Sequence, residues 1–215
     1  MELIVRKERL ADYREVEHVT REAFWNHHVP GCDEHYLIHV MRNHPDFISE
    51  LDYVALDGDK IVGNIMYTRS RLVKDNGEEC HVLCFGPVAV LPEYQGKGIG
   101  TKLIEHTKAL AKEMGFSAII IYGDPDYYKR VGFVPAETYH IGTSGNTYAE
   151  ALLACELVPG ALQNCQGCFF ESPVFDVDGH KAIEFDQSFP LKEKVSGIPS
   201  QKRFKELSSS SKPRE

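Results

Sequence analysis

Residues 84–103 read CFGPVAVLPEYQGKGIGTKL: an apolar strand, a proline-bearing bend, glycines at alternate positions, then the opening of a helix. Gly96, Gly98 and Gly100 keep side chains off the backbone. Successive N–H groups can therefore turn into one concavity above the positive end of the following helix dipole. A phosphate fits such a cradle, although a sharp strand-to-helix turn alone would need the same glycines. Spacing separates the phosphate-binding patterns. A P-loop requires lysine directly after its last glycine and then Ser or Thr, whereas Gly100 is followed by Thr101 and Lys102. A GxGxxG dinucleotide fingerprint would need glycine at 101 or 103, where Thr101 and Leu103 stand, so an NAD(P)-binding oxidoreductase is the weaker alternative. The pattern QxxGxG is met by Gln95, Gly98 and Gly100.

Upstream of the loop, residues 51–56, 61–72 and 80–91 are rich in β-formers, and Asp57-Gly58 and Asn76-Gly77 supply tight-turn residues between them. This predicts an antiparallel meander. Gly86-Pro87 lies inside its last strand, where a proline removes a ladder donor; pairing should be interrupted there, freeing the backbone of Val88 and Val90 for an extended, amide-bearing ligand. Downstream, residues 98–114 place Leu103, Ile104, Leu110 and Ala111 on one helix face, closed by Gly115, and 117–122 read as a buried strand. Strand, helix and strand make a right-handed crossover with the last strand parallel to the meander's third.

Further out, residues 1–6 suggest a strand and 10–25 a helix, with Val16, Val19 and Ala23 at helical spacing. Residues 33–44 read as a polar, histidine-rich helix ending near Pro45. Beyond the crossover, 127–131 read as a helical turn, Phe133 and Val134 as a strand start, and 150–158 as a strand. The stretch 202–215 is basic and serine-rich, and is expected to lack fixed structure.

Composition narrows the functional classes. The 215 residues, 42% of them hydrophobic, suit one domain with a substantial core. A net charge of −8 argues against nucleic acid and anionic membranes as partners. No apolar run approaches the roughly 20 residues of a membrane span, and MELIVRKERLADY lacks the order of a secretory signal. A cytoplasmic protein with its six cysteines reduced is expected. His27, His28, His35 and His39, with Cys32, Asp33 and Glu34, show no fixed ligand spacing and are read as a surface or substrate rim. Cys165 and Cys168 form a CxxC without a second pair, so no metal is expected.

The QxxGxG loop resembles the acyl-CoA pyrophosphate loop of the GNAT superfamily of N-acetyltransferases. Val88-Ala89-Val90 looks like that family's fourth strand, and Tyr128-Lys129-Arg130-Val131-Gly132-Phe133 is similar to its YxxxGF motif. GDPDYYKRVGF, LVPGAL and ESPVF bring the chain nearer the YhbS-like branch. One departure is clear: the Asn and Ala that many members carry ahead of the motif tyrosine are Ile121 and Asp124 here. The resemblance implies a mixed α/β fold, with an antiparallel meander followed by a parallel βαβ crossover, splayed at strands four and five. That domain would occupy 1–185, and 186–215 would form a polar extension, flexible from about 200. Acetyl-CoA is the implied cosubstrate, held by Val88, Val90, Gln95, Gly96, Lys97, Gly98, Ile99, Gly100 and Thr101. In the implied reaction a neutral primary amine of a small molecule or peptide attacks the thioester directly. Tyr128, with an unperturbed phenol pKa of about 10, is the candidate acid for the leaving thiolate, and Tyr127 is its rival. Several members use a carboxylate on strand four, but Cys84 occupies that position, and the nearby titratable neighbour is His81. A catalytically idle acyl-CoA-binding module is the alternative, and a homodimer is left open.

Overall fold

The computed structural model describes residues 3–214. It opens with β1 (Leu3–Lys7), the strand expected over 1–6, of which residues 1 and 2 lie outside those described. A 3-10 turn at Leu10–Asp12 leads into α1 (Tyr13–Phe24), which buries Val16 and Val19 as its spacing predicts. α2 (Glu34–Met41) departs from the expected surface helix, because His35, Leu37, Ile38 and Met41 are all buried. The meander follows as β2 (Tyr53–Asp57), β3 (Lys60–Lys74) and β4 (Glu79–Val90). Gly58 and Gly77, at φ +61° and +86°, supply the left-handed backbone of its two turns.

The crossover consists of α3 (Ile99–Glu113) and β5 (Ala118–Tyr122), and β4 and β5 run parallel with Leu83 opposite Ile119. Then come α4 (Pro125–Tyr128), β6 (Val134–Pro135), β7 (Ile141–Gly142), β8 (Thr147–Ala149), β9 (Leu152–Glu156) and β10 (Gly167–Phe170). The chain closes with α5 (Gly179–Asp186), α6 (Pro199–Ser209) and β11 (Ser211–Pro213). The main sheet has the order β1-β2-β3-β4-β5-β9-β6, with β10 joining β3 and β7, and it is mixed: β1–β2, β2–β3 and β5–β9 are antiparallel. This is the α/β fold class expected. β4 continues as a strand through Gly86-Pro87 and keeps a bond towards β3 beyond it, Leu91 donating to the Val62 carbonyl at 2.9 Å, while its register with β5, Leu83 opposite Ile119, lies before the proline. β5 ends at Tyr122 while β4 continues to Val90.

By contact the chain divides into two compact units. One comprises the chain up to Tyr67, Gly86–Ile104 and Pro173–Arg203; the other comprises Thr68–Phe85, Glu105–Ser172 and the chain from Phe204. The first is cored by Val19, Ile38, Met41, Leu51 and Ile65. Charged networks fasten its helices. Arg21 Nε donates to Asp186 Oδ1 at 2.6 Å, His35 Nε2 lies 3.1 Å from the same oxygen, and Cys32 Sγ is 3.5 Å from His35 Nδ1. Burial pushes the Cys32 thiol up, which makes it a packing group and not a nucleophile. Arg42 bridges Glu8 at 2.7 Å and Glu17 at 3.0 Å, and His39 Nδ1 is 2.9 Å from Glu17. Asp52 lies against Glu8, and burial together with that neighbour pushes its carboxyl up to about 9. Trp25 Nε1 donates to the Glu193 carbonyl at 2.8 Å, beneath the Arg21 guanidinium at 4.2 Å.

The C-terminal stretch corrects the expectation of a structureless tail. In the second unit β11 pairs with β8, Lys212 opposite Tyr148. Arg214 donates to Asp75 Oδ1 at 2.8 Å and to the His140 carbonyl at 3.0 Å, and Lys212 pairs with Glu137 at 2.6 Å. The tail's positive charges find acidic partners far away in sequence, and the strand ladder satisfies its backbone.

Candidate active site

The glycine loop is built where β4 hands over to α3. Lys102 N–H donates to the Gly98 carbonyl at 3.0 Å, closing the first helical turn. The N–H groups of Ile99, Gly100 and Thr101 are left without partners inside the helix. Gly96 and Gly98 have φ of +72° and +79°, and a Cβ on either would meet nothing within 4 Å. The loop thus presents backbone to an open concavity, which a side chain would strain and fill. An acyl-CoA pyrophosphate fits this donor set: three convergent N–H groups and a helix N-terminus, with no acidic side chain among residues 95–101.

Gln95 Nε2 donates to the Val90 carbonyl at 3.0 Å, tying the loop to the end of β4. Val90 therefore has one partner on its carbonyl, and Val88 is half-buried. Lys97 Nζ donates to the Glu93 carbonyl at 2.8 Å, and Lys60 pairs with the Glu93 carboxylate at 3.0 Å. Both ammonium groups lie near the Tyr94 ring, at 4.9 and 5.3 Å. Lys60, a second cation beside the loop, was missed because it comes from the hairpin turn of the meander.

In the second unit, Asp124 accepts from Asp126 N–H at 2.9 Å and so caps α4, which gives a local reason for the departure at that position. Tyr128 packs against Phe133 and Phe85, with ring centroids 5.7 and 5.9 Å away, and meets Tyr127 edge to face at 4.9 Å. Its ring lies directly over Gly123, where a Cβ would stand 2.6 Å from Tyr128 Cδ2. Burial, then Tyr127 and Cys84, push the Tyr128 phenol up, so it holds its proton at neutral pH. Tyr127 instead lies 5.1 Å beneath the Arg130 guanidinium.

Cys84 is buried on β4, and its thiol is raised by burial and by the negative charge of Glu171. The Tyr122 phenol is raised by burial, then by Glu171 and Cys84. Alternation along β4 puts the exposed His81 on the face opposite Cys84. Glu171 follows β10, whose Phe170 stands opposite Arg71 on β3. Glu171 is exposed, and its carboxyl is raised by the partial desolvation it has there. Sequence reasoning missed Glu171, since only the β10–β3 pairing carries it to Cys84.

The mixed sheet, its fourth strand running into an open glycine loop at a helix N-terminus, is a fold shared with solved acetyltransferases. Residues 50–135 match the family model described as an acetyltransferase (GNAT) domain. Among curated proteins, the uncharacterized N-acetyltransferase YjhQ of Escherichia coli K12 is 38% identical over 86 residues, which are 40% of this chain and 46% of that protein. YhbS of the same strain is 30% identical over 98 residues, 45% of this chain and 56% of that protein. The alignments thus span about half the length of these relatives. Among solved structures, E. coli YhbS in complex with CoA superposes with a TM-score of 0.71 at 23% identity, covering 82% of this chain and 93% of that one. A GNAT family acetyltransferase from Brucella melitensis in complex with acetyl-CoA gives 0.64 at 26% identity, covering 81% and 99%.

Proposed function

We propose that this protein transfers the acetyl group of acetyl-CoA to a primary amine of a small molecule or peptide by direct attack. The observation that carries this reading is the open cradle at Gly96 and Gly98 above the N-terminus of α3. The CoA and acetyl-CoA complexes of the E. coli and Brucella proteins support it. The loop residues Gln95 to Thr101 hold the pyrophosphate, chiefly through backbone N–H groups, with Lys97 adding positive charge. Val88 and Val90 offer the edge of β4 to the pantetheine amides. Bound acetyl-CoA supplies an activated thioester, and the chain orients it, excludes water and moves protons.

Tyr128 is the acid in this reading. Its phenol keeps its proton at neutral pH and donates it to the departing thiolate, a step in which Tyr127 is the rival. His81, the neighbour that the sequence offers as a possible base, is exposed on the face of β4 opposite Cys84. The acidic composition suits a cationic acceptor in the cytoplasm, with neither nucleic acid nor membrane as partner; among the described residues no helix is long and apolar enough to cross a bilayer. A thiol-release screen with acetyl-CoA against polyamines, amino acids, aminoglycosides and lysine peptides tests the proposal. CoA binding without release from any amine would leave the idle binding module, and preference for NAD(P) over CoA would overturn the cofactor assignment.

A further inference from the structure

We infer that Glu171 is the base that removes the acceptor's proton, taking the place of the strand-four carboxylate that Cys84 cannot supply. This deepens the acetyl-transfer reading and rests on it. The Tyr128 phenol, the Tyr122 phenol and the Glu171 carboxylate, from separate parts of the second unit, lie within electrostatic reach of the Cys84 thiol. The Phe169 ring, two residues before Glu171, is 6.2 Å from the Tyr122 ring, which brings the end of β10 close to the end of β5. Among the described residues, no hydrogen bond or ion pair engages the Glu171 carboxylate. The titratable groups that feel its charge are Cys84 on β4 and Tyr122 on β5, and the cation on the neighbouring strand β3 is Arg71, opposite Phe170. Arg71 is already committed to Glu79 at 2.8 Å and lies over the Phe170 ring at 5.0 Å. A carboxylate left without a cation, partly stripped of water and still reachable from solvent, is suited to receive a cationic amine and its proton.

The proton balance is complete without a further reactant. The acceptor ammonium gives one proton to Glu171 and becomes a neutral amine. Its nitrogen lone pair forms the C–N bond as the C–S bond breaks. The thiolate takes the Tyr128 proton, and the second nitrogen proton returns to the phenol through solvent. Glu171 then releases its proton to water.

Glu171→Gln tests this, with steady-state rates measured against pH for two amines of different pKa. Expected is a loss of about a hundredfold in kcat/KM near pH 7, with CoA affinity and Tm unchanged. Expected also is a wild-type acid limb with one midpoint for both amines, replaced in the variant by a rise that follows each amine's own pKa. The inference fails if the variant stays within twofold with the same limb, if the wild-type limb already follows each amine, or if His81→Ala removes the limb instead. The wild-type comparison needs no variant to fold. Absence of wild-type thiol release with every amine would instead remove the acetyl-transfer reading itself, and this inference with it.

Discussion

Tyr128 sits where it does because residue 123 has no side chain. A methyl group there would overlap the ring, so Gly123→Ala should displace the phenol and reproduce the defect of Tyr128→Phe. For Tyr128→Phe the expected loss in kcat is about a hundredfold with CoA affinity little changed, since only a hydroxyl is removed. A larger loss in Tyr127→Phe would move the acid role to that ring. The tyrosine itself was legible from its motif, but its dependence on Gly123 was not, because a contact of ring with backbone leaves no mark in residue type. Asp52 makes a different prediction. The folded state keeps a proton on it up to about pH 9, whereas an unfolded aspartate releases its proton near 3.8. Its contribution to stability is therefore complete below about pH 4 and falls as pH rises towards 9. Asp52→Asn keeps a donor for Glu8 and cannot ionise, so Tm at pH 8 should rise by several degrees and vary less with pH. Parallel Tm–pH curves for the two proteins would clear Asp52 of this role.

At the scale of secondary structure, the loop and α3 together make the proposed pyrophosphate cradle. Gly98→Glu puts a side chain on a backbone at φ +79° and a negative charge where phosphate would lie. Calorimetry should find CoA binding abolished, with the helical content of the protein retained; unchanged affinity would remove the loop from the site. The strand, loop and helix that build it were legible because glycine spacing, helix start and apolar strand are all local signals, as were the meander turns at Gly58 and Gly77. α2 was misread because the acidic partner of its His35, Asp186, comes from α5. The order in β11 was equally hidden: Arg214 finds Asp75 139 residues away along the chain, and composition alone made that segment look unable to fold. Glu171 was invisible for the same reason, its placement depending on the pairing of β10 with β3.

Across the whole molecule the charge is acidic, −8 in net, and long-range attraction should concentrate cationic acceptors at its surface. The KM for a polyamine should therefore rise several-fold between about 0.02 and 0.2 M salt, whereas that for a monoamine changes little, as screening over roughly a Debye length requires. Equal salt dependence for both would mean that the acceptor is held by local contacts only. The single tryptophan has a consequence of another kind. Trp25 is fixed by the Glu193 carbonyl and the Arg21 guanidinium, all within one of the two compact units, so its fluorescence is an optical gauge of that unit alone. Followed on heating beside far-ultraviolet ellipticity, which averages over every helix and strand, an emission change at lower temperature would register that unit opening first. Coincident transitions would mark a single cooperative melt.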